Sequence, residues 1–195
     1  MNKKKIMIFA ALALFFLLTG AGISAVLNVS DEQLEQQSLE TLQDSEGRDN
    51  HHAVGENIIE ESFTDVINND GSLQDIVKNN EVTVINFFAS WCDPCRRETP
   101  ALNEYHTSHE NEDIDIVGIN IDDSEKNRDE FLEEFSVTYP VYEFENESEA
   151  IERYSIHLMP TTFFVDNEGE VIRAYVGEVR PDLIDSYINY VKEEN

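Results

Sequence analysis

The sequence predicts an α/β domain in which helices flank a central mixed sheet. Three observations carry that expectation. Val82 to Ala89 is an uncharged run rich in β-branched and aromatic residues, the pattern of a strand covered on both faces. The apolar period then changes to that of a helix, and the same strand-to-helix change recurs at Ile114–Ile121 and Ser124–Phe135, which is the signature of parallel βαβ units. Finally, Phe163–Val165 and Glu170–Val176 bracket the turn Asp166–Gly169, which predicts an antiparallel hairpin and makes the sheet mixed.

In chain order, Lys3, Lys4 and Lys5 precede an uncharged stretch from Ile6 to Leu27. As a helix that stretch spans about 33 Å, close to the thickness of a bilayer's hydrocarbon core. Residues 1–27 are therefore expected to form a signal-anchor or transmembrane helix. The lysines place its start in the cytoplasm and the remainder outside the cell membrane. A cleaved signal peptide ending near Ser24-Ala25 is the competing reading. Residues 28–53 are acidic, rich in glutamine and free of aromatic side chains, and read as a solvated linker; Ser30 and Gln33 have the spacing of a capping box. His51-His52 at its end is read as exposed rather than metal-ligating.

Residues 54–195 are expected to form the compact domain. Ile58–Ile67 supplies an edge strand, Asp70-Gly71 a turn, and Leu73–Val77 one helical turn. Beyond the first strand, Glu98, Ala101, Leu102 and Tyr105 follow helical spacing on one face. Asp122, Asp123 and Ser124 supply N-cap chemistry for the next helix. Val141–Phe144 is a short strand, Ser148–Tyr154 a short helix, and Pro181 opens a last helix carrying Leu183, Ile184, Tyr187, Ile188 and Val191 on one side.

The only two cysteines, Cys92 and Cys95, lie where the strand of residues 82–89 gives way to a helix. Free N–H groups and partial positive charge at a helix start favour thiolate over thiol. Cysteines in such a C-x-x-C can have pKa values of roughly 3.5 to 7.5. Cys92, at the mouth, is the expected nucleophile, and Cys95, one turn in, the resolving sulfur. A structural bridge and half a zinc site are the competing readings. The first is disfavoured by the short loop, the second by the lack of further cysteines. No metal or other cofactor is expected beyond a redox-active Cys92–Cys95 disulfide. Glu98 falls on the inner stripe one turn past Cys95, where partial desolvation suits a carboxylate to hold or shuttle a proton. A first-turn glutamate answering the helix dipole is its plainer reading.

The composition excludes some partners. With 41 acidic against 13 basic residues and a net charge of −28, the chain is unsuited to nucleic acid or an anionic surface. Such a surface also suits high salt, where self-repulsion is screened.

Trp91-Cys92-Asp93-Pro94-Cys95 resembles the W-C-x-P-C motif of thioredoxin-fold proteins. Pro100, inside the active-site helix, and Pro160, ahead of Thr161-Thr162 and the hairpin, match two further prolines of that fold. Within it the chain resembles the ResA/TlpA group of membrane-anchored thiol–disulfide oxidoreductases. The anchor, the extra segment around Val141–Tyr154 and Cys95-Arg96-Arg97-Glu98 carry that likeness. Asn86 stands where thioredoxins have a buried Asp, and Asp93-Pro94 where ResA-type proteins often have Glu-Pro. The resemblance implies a cis peptide at Pro160 and client contacts at Trp91, Pro94, Met159 and Pro160. It implies reduction of client disulfides on the extracytoplasmic side, with apocytochrome c as client and a CcdA-type membrane thiol donor. Reduction of a cell-wall or spore-cortex enzyme is the sister alternative. Further rivals are a net oxidant or isomerase and a non-enzymatic acidic binding module with an inert bridge. A peroxidase is disfavoured because P-x-x-x-T-x-x-C is absent.

Overall fold

Strand alternation divides the core into two halves, one on each face of a six-stranded sheet. The computed structural model describes residues 51–68, 71–109 and 113–194. After a 3-10 turn at Ile58–Glu60 come β1 (Phe63–Ile67), α1 (Leu73–Asn79), β2 (Val82–Phe88), α2 (Asp93–Ser108) and β3 (Ile114–Asn120). They are followed by α3 (Glu125–Glu134), β4 (Val141–Phe144), α4 (Glu147–Tyr154), β5 (Thr161–Asp166), β6 (Val171–Val176) and α5 (Pro181–Glu194).

The strand order is β1-β4-β3-β2-β5-β6. The β2–β3 and β3–β4 pairs are parallel, as βαβ crossovers require, while β1, β5 and β6 pair antiparallel. The expected mixed sheet with flanking helices is therefore present, with β1 at an edge. The expected transmembrane helix of residues 1–27 lies outside the described residues, as does all of the linker before His51. Among the described residues, no helix is long and apolar enough to cross a membrane.

Strand β2 is buried along its whole length and flanked by β3 and β5. Val82, Val84 and Phe88 pack into one cluster with Leu102 of α2, Phe131 of α3 and Ile184 and Ile188 of α5. Ile85 and Phe87 pack on the other side with Leu73 and Val77 of α1, Tyr154 of α4 and Phe163 of β5. Packing on this second side reaches upstream to Ala53, which is fully buried, and to His51, whose ring meets Phe163 edge-on at 5.5 Å.

Helix α1 is longer than the single turn expected. Ser72 accepts from the Asp75 backbone N–H, and Asp75 accepts in return from the Ser72 N–H, a reciprocal cap that supports a second turn. Asp122 and Asp123 do not cap α3. Only Ser124 does, its hydroxyl accepting from Asn127 N–H at 3.3 Å. Asp122 has φ +50° and Asp123 turns toward Ser90, so both are committed elsewhere.

Phe163 is fully buried and meets Phe87 edge-on at 4.7 Å and Tyr154 at 6.3 Å. Phe163→Ala is expected to cost about 3–5 kcal/mol, read as a lowered urea midpoint for the full chain. A loss of less than about 1 kcal/mol would mean that the site collapses around the missing ring.

Candidate functional site

The site begins where β2 runs out. Cys92 donates its N–H to the Ala89 carbonyl at 3.1 Å, turning the chain, and then serves as the N-cap of α2 in extended conformation. Its Sγ accepts the Cys95 N–H at 3.3 Å. Pro94 lies in the first turn, where its missing N–H costs no helical bond. Cys92 and Cys95 are joined in a disulfide, with Cα atoms 5.3 Å apart. Cys92 is 4% exposed and Cys95 fully buried, so Cys92 is the more accessible residue of the pair. The unpaired N–H groups of the first turn favour negative charge at Cys92 once the bridge opens.

The approach to Cys92 is anchored from β3's far end. Asp123 accepts from the Ser90 N–H at 2.6 Å and the Ser90 hydroxyl at 2.9 Å. Trp91 donates its ring N–H to the Asp122 carbonyl at 2.8 Å, yet 57% of the residue remains exposed. Trp91 is therefore surface beside the disulfide and not core filler.

Met159–Pro160 is a cis peptide bond. Pro160 is buried, Met159 is half-buried against the cluster that contains both sulfurs, and Leu158 is 66% exposed. The Pro160 carbonyl accepts from Gly177 N–H at 2.9 Å, which ties this loop to the segment before α5.

Glu98 is 2% exposed on the inner face of α2. That face comprises Cys95, Glu98, Thr99, Leu102 and Tyr105, so the stripe begins at Cys95. Thr99 takes the buried place expected for Ala101, and its hydroxyl donates to the Cys95 carbonyl at 2.7 Å. One Glu98 oxygen accepts from the Asn86 amide at 2.9 Å and the other from the Val179 N–H at 2.7 Å. Asn86 also donates to the Thr162 hydroxyl at 3.1 Å, and Thr162 is its direct partner across the β2–β5 pair.

Val179 and Thr162 are site residues that sequence reasoning missed. Val179 contributes only a backbone N–H, which leaves no mark in the sequence. The signal for Asn86 was present: strand parity puts it on the face of Val84 and Phe88, toward α2.

Residues 54–174 match the AhpC/TSA family. The chain belongs to that family. Among curated relatives it is 33% identical over 106 residues to the thiol-disulfide oxidoreductase ResA of Oceanobacillus iheyensis, covering 54% of this chain and 55% of that protein. To the thiol-disulfide oxidoreductase ResA of Geobacillus kaustophilus it is 26% identical over 140 residues, covering 72% and 79%. The first match thus spans little more than half of the relative's length. A solved thioredoxin-related protein from Neisseria meningitidis serogroup B superposes with a TM-score of 0.56 at 23% identity, covering 68% of this chain and 99% of that one, which shows a shared fold. The thioredoxin-like α/β fold and the likeness to the ResA/TlpA type both stand.

Against this family background, the histidines hold no metal-like arrangement. His106 faces Asp115 at 3.1 Å, His109 stacks on Tyr105, and His51 accepts the Ala53 N–H. Among the described residues, no group of three or more His, Cys, Asp or Glu is placed to hold a metal ion.

Burial pushes the Glu98 carboxyl up from 4.5 to about 7, against the opposing pull of its bonds from Val179 and Asn86. Between those values the native chain binds more protons than the unfolded one, so this group's contribution to stability falls as pH rises through the window. The shift corresponds to about 3 kcal/mol. The stability gap between the parent chain and Glu98→Gln is therefore expected to change by about 3 kcal/mol between about pH 4.5 and about pH 8, measured by urea unfolding at each pH. A gap that stays flat across the window would place the carboxyl in the ordinary range.

Proposed function

We propose that the chain is a membrane-tethered, extracytoplasmic thiol–disulfide oxidoreductase that reduces disulfides in client proteins. One observation carries this reading: a cysteine that keeps a sliver of solvent exposure caps a helix and is bonded to a fully buried partner one turn later, the arrangement that thiol–disulfide exchange needs. Family membership and likeness to two proteins named thiol-disulfide oxidoreductase ResA support it.

The cycle starts from the reduced pair. The Cys92 thiolate attacks one sulfur of the client disulfide, forming a mixed disulfide and releasing the other client sulfur as a thiolate. Cys95 gives up its proton and attacks the Cys92 sulfur. The Cys92–Cys95 disulfide forms and the second client sulfur leaves. Two electrons pass to the client in all; one proton comes from Cys95 and the second from solvent. Glu98, near half-ionised at neutral pH, takes the Cys95 proton and returns it as the client thiols are made.

Trp91, Pro94, Met159 and Pro160 form the client contacts in this reading. The exposed Trp91 and Leu158 offer apolar surface, and the backbone at Met159 offers main-chain groups to an extended peptide. The client is apocytochrome c, whose haem-binding cysteines must be reduced before attachment. A CcdA-type membrane thiol donor restores the dithiol, and the apolar segment of residues 6–27 holds the domain at the membrane.

Trapping tests the reading. Cys95→Ala, reduced and mixed with an apocytochrome peptide bearing a C-x-x-C-H disulfide, is expected to accumulate a mixed disulfide through Cys92, seen by non-reducing electrophoresis and mass spectrometry. Cys92→Ala is expected to lower peptide reduction to the uncatalysed rate. Full activity without either sulfur, or a bridge in the parent chain that dithiothreitol leaves intact, overturns the assignment.

A further inference from the structure

Asn86 is a polar residue on a strand otherwise built for burial, and it is 1% exposed. Such a side chain is destabilising unless its hydrogen bonds are met. Both of its amide protons are used, one on Glu98 and one on the Thr162 hydroxyl. Flipping the amide would set its oxygen against the ionised Glu98 carboxylate, so the charged form of Glu98 fixes this orientation.

The bonds beyond Asn86 form a circuit that two short backbone stretches complete. Thr162 lies two residues after Pro160 on β5. The Pro160 carbonyl accepts from Gly177 N–H at 2.9 Å, and two residues on, Val179 N–H reaches the second Glu98 oxygen at 2.7 Å. Gly177 has φ +124°, a backbone conformation that side chains disfavour, and this turn lets both N–H groups point inward. Arg97, beside Glu98 on α2, clasps Glu178 at 2.7 Å and holds the same turn from outside.

We propose that Asn86 is a positioning residue of the sulfur site: its amide ties the Glu98 carboxylate to the Thr162 hydroxyl, and the backbone from Thr162 to the cis-proline carbonyl and from Gly177 to Val179 completes the circuit back to Glu98. The proposal rests on the exchange reading above and deepens it, because it names what couples the proton holder to the client-docking loop. Moving the proton on Glu98 changes the bonds that hold the Pro160 loop. By reciprocity, a client seated on that loop changes the proton affinity of Glu98.

Asparagine suits this position chemically. An apolar residue would deprive the ionised carboxylate of a donor. An aspartate would set two carboxyls within hydrogen-bond distance, where they cannot both ionise cheaply. Among the described residues, the other charged or titratable groups that act on Glu98 are Glu178 on the turn, Arg97 on the helix and Tyr139 after α3; the Cys92–Cys95 disulfide does not titrate. Tyr139 is fully buried, its phenol held protonated by burial and by the nearby Glu98 charge.

The experiment reads the Glu98 carboxyl directly by carbon-13 NMR in the oxidised full chain, with Glu98→Gln assigning the signal. Asn86→Ala is expected to raise its midpoint by about one pH unit, a tenfold change in proton affinity, because the charged form loses a donor. Asn86→Asp, close in shape, covers the case in which the alanine variant does not fold. It is expected to split the titration into two steps, the upper one above the parent midpoint. Thr162→Val is expected to move the midpoint the same way, with less than additive effect when combined with Asn86→Ala. An unmoved midpoint in the Asn86 variants, or full additivity with Thr162→Val, overturns the proposal. The measurement needs no turnover, so its failure is separable from a failure of Cys92 trapping.

Discussion

The enclosure of β2 is the constraint on which the rest of this structure depends. It is covered on both faces and hydrogen-bonded to β3 and β5 on its two edges. A strand held in that way cannot shift register without moving its apolar set to the wrong face. Its end is therefore a fixed point, and the Ser90–Cys92 segment inherits that fixity before α2 begins. Enclosure also explains the polar wiring. Once Asn86 is committed to the α2 face, its amide must find acceptors there, and Glu98 and Thr162 are those acceptors. Glu98 in turn finds its second donor in the turn before α5.

Charge is managed differently at the surface. In a chain with 41 acidic and only 13 basic residues, arginines sit where carboxylates gather. Arg153 meets Glu56, Glu60 and Glu61, joining α4 to the segment ahead of β1. Arg96 meets Glu134 while its guanidinium lies over Phe135, joining α2 to α3. Each exposed pair contributes little in isolation, with about 1 kcal/mol as a ceiling. Their placement nonetheless relieves carboxylate repulsion at the joins between elements.

The sequence made the alternation of strands and helices legible because the buried runs are long and uncharged, and the βαβ order leaves few ways to arrange them. The cysteine pair and its helix start were legible for the same reason. Errors came where polar side chains had a choice of partner. Asp122 and Asp123 have the chemistry of caps, but Asp123 is drawn to Ser90, a contact that exists only once β2 and β3 are side by side. The apolar period sets the inner stripe of α2 from Glu98 forward, whereas burial starts it at Cys95 and takes in Thr99. The role of Val179 was illegible in principle, since a backbone donor carries no residue preference.

The capping of α2 by a sulfur ties the start of the helix to the bridge's chemistry. Many helices are started by a hydroxyl or carboxylate that stays chemically unchanged; here the atom that accepts the Cys95 N–H is itself half of a disulfide. In the oxidised chain that sulfur is a weak acceptor, and as a thiolate it becomes a strong one. In the proposed exchange cycle, reduction therefore strengthens the bond that starts α2 instead of removing it.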